Sequence, residues 1–145
     1  MTPEQVNLIN QSFDEMWPIR RNLAVRFYSQ FFETAPDARR LFPDDMGRLH
    51  LKLMNTIAAI VGALDNRALF HSIIGHTALQ HARFGMTSSQ LTAFGDALIW
   101  SLEQQLGGAF TPVLREAWIA LYNEMQTEMI NAAKIEAERN HPRPS

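Results

Sequence analysis

Residues 27–42 read "FYSQFFETAPDARRLF", and this stretch decides the fold. Here and just before it, apolar side chains recur every three or four residues, as they do along the buried face of a helix: Leu23, Ala24, Phe27, Tyr28 and Phe31. Pro36 cannot continue such a helix, because it lacks a backbone N–H and clashes with the preceding turn. We therefore predict a helix over 19–33, another over 36–42, and a loop at "FPDDMG" (42–47).

The same signals divide the rest of the chain. Helix starts are marked by Thr2, Thr87 and Thr111, each followed by a proline or by a glutamine three residues on. Helix ends are marked by Gly85 and Gly107. The predicted helices run over 3–17, 19–33, 36–42, 47–64, 67–83, 88–106 and 112–138. No segment has the alternation of a strand, so we expect an all-α domain of about seven helices.

Composition limits the class of protein. The 145 residues, 46% of them hydrophobic and 19% charged, suit one domain over 1–140 with a frayed polar tail at 141–145. The net charge of −2 gives no reason to expect nucleic acid. The absence of cysteine excludes disulfides, thiolate metal sites and covalent haem attachment. No apolar run approaches the roughly 20 residues of a membrane helix, so we expect a cytoplasmic protein without a membrane partner.

Three histidines lie in the predicted helix 67–83. At about 100° per residue, His81 falls within about 20° of Phe70 and Ile74, on the apolar face. His76 lies about 140° from His81, on the side of Ser72, Gln80 and Arg83, which reads as a solvent face, and His71 lies between the two. A paired metal site on one helix needs a spacing of three or four. His81 is therefore either a core histidine bonded to a backbone carbonyl or a single ligand to a metal or haem iron.

Five segments together carry a family resemblance. They are "TPEQVNLI" (2–9), the stretch 27–42, "KLMNTIAAIV" (52–61), "HARFGMTSSQL" (81–91) and "EAWIALYNEM" (116–125). In this order and at these separations the chain resembles bacterial single-domain globins and the globin part of flavohaemoglobins. The resemblance implies a globin fold around a pocket for haem b (iron protoporphyrin IX). It also implies that His81 is the iron ligand and that Phe42 stacks on the porphyrin.

On the opposite side of the haem, the resemblance makes Tyr28 the distal tyrosine, whose hydroxyl stabilises bound oxygen. Leu49 then occupies the usual distal glutamine or histidine position, and Leu53 lies over the ligand. Leucine cannot donate a hydrogen bond, so here the chain departs from the family pattern. A slip of one residue would instead place His50 at the distal position, but the stripe Leu49–Leu53–Ile57 argues against it.

A second departure concerns the iron-ligand side. Flavohaemoglobins support the ligand histidine with a tyrosine and a glutamate, and by spacing these positions fall on Leu91 and Val113. Loss of that polar network makes the imidazole less basic, which favours reversible oxygen binding over peroxidase-like chemistry.

The expected function is therefore reversible binding of O2, NO and CO by a monomer or weak homodimer, with no catalytic residue assigned. The alternative is a nitric oxide dioxygenase, in which bound oxygen and nitric oxide give nitrate and a ferric haem that a separate reductase must reduce. A haem-based sensor would need an output domain, and none is recognisable in the sequence. A helical interaction module without haem is the fourth interpretation.

Overall fold

The computed structural model describes residues 1–140, apart from the side chains of 81–83, 132, 133, 136 and 140. The described residues form six α-helices: α1 (Pro3–Met16), α2 (Arg20–Thr34), α3 (Gly47–Gly62), α4 (Arg67–Phe84), α5 (Ser88–Leu106) and α6 (Pro112–Asn140). Three short 3₁₀ segments, Trp17–Ile19, Pro36–Leu41 and Gly107–Ala109, lie between them. The described residues contain no strand, which confirms the all-α prediction. The predicted tail 141–145 lies outside the described residues.

The helix ends follow from local chemistry. Thr2 and Thr87 each form a capping box: the threonine hydroxyl accepts from the backbone N–H three residues on, and the glutamine there accepts from the threonine N–H. Gly85 and Gly107 have φ values of 85° and 53°, a conformation that strongly favours glycine. Pro36 opens a 3₁₀ segment, so the element expected over 36–42 is present in a tighter form and ends at Leu41.

The core is built from the predicted apolar faces. α4 packs most extensively on α6, and α2 on α5. The five stripe residues of α2 are all buried: Leu23, Ala24, Phe27, Tyr28 and Phe31. On α3 the stripe runs through Leu49, Leu53, Ile57 and Ile60 and faces the interior. No helix in the described part of the chain is long and apolar enough to cross a membrane.

One buried hydrogen bond joins the first helix to the last. The indole N–H of Trp118, on α6, donates to the hydroxyl of Ser12, on α1, at 3.0 Å. Both residues are buried, and Ser12 in turn donates to the carbonyl of Ile9 at 2.9 Å. The serine therefore satisfies a donor that has no access to water.

Replacing this serine tests the contact. Ser12→Ala leaves the indole N–H of Trp118 buried without an acceptor, so we expect a loss of about 1–3 kcal/mol in the free energy of unfolding, measured by urea denaturation. Ser101→Ala is the matched control, because the Ser101 hydroxyl donates only to the Ala97 carbonyl within its own helix. Equal losses in the two variants would contradict the assignment.

Candidate functional site

A cavity lies between α2, α3, α4, α5 and α6. It encloses about 830 Å³ of unfilled space, part of which opens to solvent. Its walls are mostly aliphatic, aromatic and methionine side chains, and Lys52 is the one charged residue among the described residues that line it. Pockets for small molecules and cofactors have similar walls, mostly apolar with a few polar groups.

Four residues singled out in the sequence line this cavity: Tyr28, Phe42, Leu49 and Leu53. They come from α2, the following loop and α3, so the fold brings together positions up to 25 residues apart in the sequence. The side chain of His81 lies outside the described residues. Its backbone is part of α4, and Thr77 and Phe84, which flank it on that helix, line the cavity.

Tyr28 brings a hydroxyl to a largely apolar wall, which also includes Thr56. Burial raises its pKa to about 12, so the hydroxyl stays protonated at neutral pH. The hydroxyls of Thr77 and Tyr122, also in the lining, donate to the carbonyls of Ile73 and Leu91. No described residue forms a hydrogen bond with the Tyr28 hydroxyl. Tyr28 is thus a donor available to a molecule in the cavity.

His50 lies behind Tyr28 and does not line the cavity. The centroids of the two rings are 5.4 Å apart. Leu49 lines the cavity instead, so the alternative register that would put His50 there is wrong. The physical reason is the one expected from periodicity: neighbouring residues on a helix point about 100° apart.

Phe42 connects the two sides of the cavity. Its ring centroid lies 5.8 Å from that of Tyr28 and 5.3 Å from that of Phe84 on α4. The loop that carries Phe42 is held by Arg39, whose guanidinium donates to the carbonyls of Phe42, Pro43 and Asp44 at 3.2, 2.9 and 3.3 Å. Arg39 therefore supports the loop.

One prediction for α4 is wrong. Helical spacing predicts that Gln80 shares a solvent-facing side with His76, but Gln80 is half-buried and lines the cavity. His76 is exposed, as expected, and its ring nitrogen lies 3.2 Å from the Gln80 amide nitrogen. Thr77, the next residue after His76, is buried and lines the cavity.

Several lining residues were not identified from the sequence. Tyr122, Met125 and Met129 of α6 and Phe94 of α5 complete the wall. Helical spacing can indicate that such residues are buried, but it cannot tell a residue packed against protein from one that faces a cavity. Val113, which by spacing falls where flavohaemoglobins carry a glutamate, is 55% exposed at the start of α6 and does not line the cavity.

The environment of His50 predicts how it titrates. Burial lowers its pKa, nearby Arg21 lowers it further, and Asp45 opposes the shift. A histidine with a lowered folded-state pKa stabilises the fold above its unfolded value of about 6.5, and this contribution is lost as the pH falls through the folded-state pKa.

We therefore expect Arg21→Gln to raise the pKa of His50 and Asp45→Asn to lower it further. NMR titration of the ring measures both changes, with His76 on α4 as the unaffected control. Shifts of the same sign in the two variants would disprove the electrostatic account.

Comparison with known proteins identifies the family. Residues 25–129 match the family model described as Globin. A flavohemoprotein of Vibrio cholerae is 27% identical over 125 residues, which are 84% of this chain but 32% of that protein, so the chain spans about a third of this relative. A leghemoglobin of Psophocarpus tetragonolobus is 26% identical over 140 residues, 90% of this chain and 97% of that protein.

The fold agrees with this match. The solved structure of a bacterial globin from Campylobacter jejuni superposes with a TM-score of 0.81 at 18% identity, covering 94% of this chain and 99% of that chain. The resemblance found in the sequence is thereby confirmed. The chain belongs to the globin family, whose members bind haem and gaseous ligands such as O2.

Proposed function

We propose that the chain binds haem b in the cavity between α2 and α6 and uses it to hold O2, NO or CO reversibly. The observation that carries this proposal is the cavity itself. It is lined mostly by apolar side chains, and no described residue forms a hydrogen bond with the Tyr28 hydroxyl in its wall. The family match supports haem as the occupant.

The lining fits a flat apolar ring with two acidic substituents. Phe42, Leu49 and Leu53 offer apolar contact, and Met125 and Met129 can adapt to the shape of a large ring. Lys52 is the candidate partner for a propionate, because it is exposed while also lining the cavity, so its ammonium can stay hydrated at the rim.

His81 is the proposed iron ligand. Positions 77, 81 and 84 share one face of an α-helix, and both described residues of this set, Thr77 and Phe84, line the cavity. Position 81 is therefore on the face of α4 that borders the cavity. A neutral imidazole nitrogen is a good ligand for iron.

When bound, haem supplies an iron with one coordination position for a diatomic gas. Tyr28 then donates a hydrogen bond to the gas, and its raised pKa keeps the donor proton in place. Leu49 and Leu53 exclude water from the same space. A hydrogen bond to a charged acceptor contributes about 1.5–3 kcal/mol, and each ~1.4 kcal/mol is a factor of ten in affinity.

Nitric oxide dioxygenation with a separate reductase is the second candidate. The likeness to the globin part of a flavohemoprotein favours it. The discriminating measurement is nitrate formed per haem after nitric oxide is added to the oxygenated protein, first alone and then with a flavin reductase. Repeated turnover with the reductase supports the enzyme, whereas a single stoichiometric burst in both cases supports the carrier.

The ligand assignment is tested by replacing His81. We expect His81→Ala to lose most of its haem on gel filtration and to lose the deoxy and carbonyl spectra of a histidine-ligated haem. The control is His71→Ala on the same helix, because His71 is exposed and does not line the cavity. Unchanged haem content and CO affinity in His81→Ala would refute the assignment.

The role of Tyr28 is tested by Tyr28→Phe, which removes only the hydroxyl. Loss of the hydrogen bond should speed O2 dissociation by about one to two orders of magnitude, as measured by stopped-flow displacement with CO. CO carries less charge when bound, so its own dissociation should change much less. An O2 dissociation rate equal to that of the unmodified protein would show that Tyr28 does not contact the gas.

A further inference from the structure

Tyr122 occupies an unusual place between two spaces. Its ring lines the cavity, and it also lines an outer groove that runs between α5 and α6. Of the described residues it alone lines both. It also borders a small apolar space behind the cavity, near Trp118. A single aromatic side chain therefore separates the interior from the groove.

The backbone of α5 explains how the ring fits there. Gly95 is buried beneath the ring, and a Cβ at this position would overlap the ring of Tyr122. The hydroxyl of Tyr122 donates to the carbonyl of Leu91, one turn earlier on α5. One hydrogen bond therefore ties the Tyr122 side chain to α5, and Gly95 leaves the space that its ring occupies.

We propose that the groove is a second entrance to the cavity for small apolar gases and that Tyr122 is the side chain that opens and closes it. The proposal rests on the proposed function, since a gas has reason to enter only if the cavity holds haem. The inner side suits such a molecule, because Leu98 and Met125 line the cavity next to Tyr122. The outer side carries Asp96 and Arg115 beside apolar residues such as Ile99, so the groove is less apolar than the cavity and an apolar gas that passes through it is drawn inward.

The first experiment removes the Tyr122 ring that lies between the cavity and the groove. CO association after flash photolysis should be several-fold faster in Tyr122→Ala, and Tyr122→Leu provides a milder opening if the alanine variant does not fold. Tyr122→Phe keeps the ring and should stay much closer to the unmodified protein. In the double variant Gly95→Leu/Tyr122→Ala the new side chain refills the vacated space and should reverse the acceleration. Unchanged association in Tyr122→Ala and Tyr122→Leu, or no reversal in the double variant, would overturn the proposal.

The second experiment asks whether the unmodified protein uses this entrance. Asn123→Trp places a large ring in the groove, because Asn123 is exposed and lines the groove but not the cavity. It should slow CO association. Thr127→Trp is the matched control, since Thr127 is an exposed α6 residue outside the groove. If Asn123→Trp and Thr127→Trp have the same association rate as the unmodified protein, the route is not used and the proposal fails.

A third measurement separates this proposal from the proposed function. Exchange of xenon into the protein, followed by ¹²⁹Xe NMR, reports access without needing iron. If the protein binds no haem, the proposed function fails, while faster xenon exchange in Tyr122→Ala than in Tyr122→Phe would still support the entrance. Equal xenon exchange in those two variants would overturn it.

Discussion

An apolar cavity inside a helical protein is stabilised by the molecule that fills it, because the atoms of its lining otherwise lack partners for dispersion contacts. The rest of this structure is arranged around such a cavity. Its walls come from five helices, and several of these also pack directly on one another. The aromatic ring of Phe94, for example, packs edge-on against Phe27 at 4.5 Å between centroids, which joins α5 to α2. A molecule that fills the space restores the missing contacts and stabilises the folded state in proportion to its affinity.

Polar contacts at the edges hold this arrangement. Gln90 caps the start of α5 and also donates to the carboxylate of Asp37 at 3.1 Å, which ties the 3₁₀ segment before the Phe42 loop to α5. Arg39 holds the carbonyls of that same loop. These bonds matter because a loop lacks the regular backbone hydrogen bonds of a helix. Its backbone N–H and C=O groups therefore need other partners. Phe42 can therefore present its ring to the cavity from an irregular segment.

The two sides of the cavity differ in chemistry. On the side of α2 and α3, the protonated hydroxyl of Tyr28 stands among leucines and a phenylalanine, and Thr56 also lies in this wall. On the side of α5 and α6, the Tyr122 hydroxyl is bonded to the backbone, and burial together with the nearby Asp96 raises its pKa as well. The two buried tyrosines therefore differ in their hydrogen bonding. The Tyr28 hydroxyl can donate to a molecule in the cavity, whereas the Tyr122 hydroxyl donates to the protein backbone and fixes its own ring.

The sequence by itself determined the helices, their ends and the residues that must be buried. Thr2, Thr87, Pro36 and Gly85 act through bonds and sterics within a few residues, and the stripes of α2 and α3 follow from helical geometry alone. Only the tertiary structure decided which buried residues face the cavity. Gln80 and Tyr122 line it and His50 does not, because periodicity gives a residue's angle about its own helix axis, whereas the neighbours across that face depend on how the helices cross.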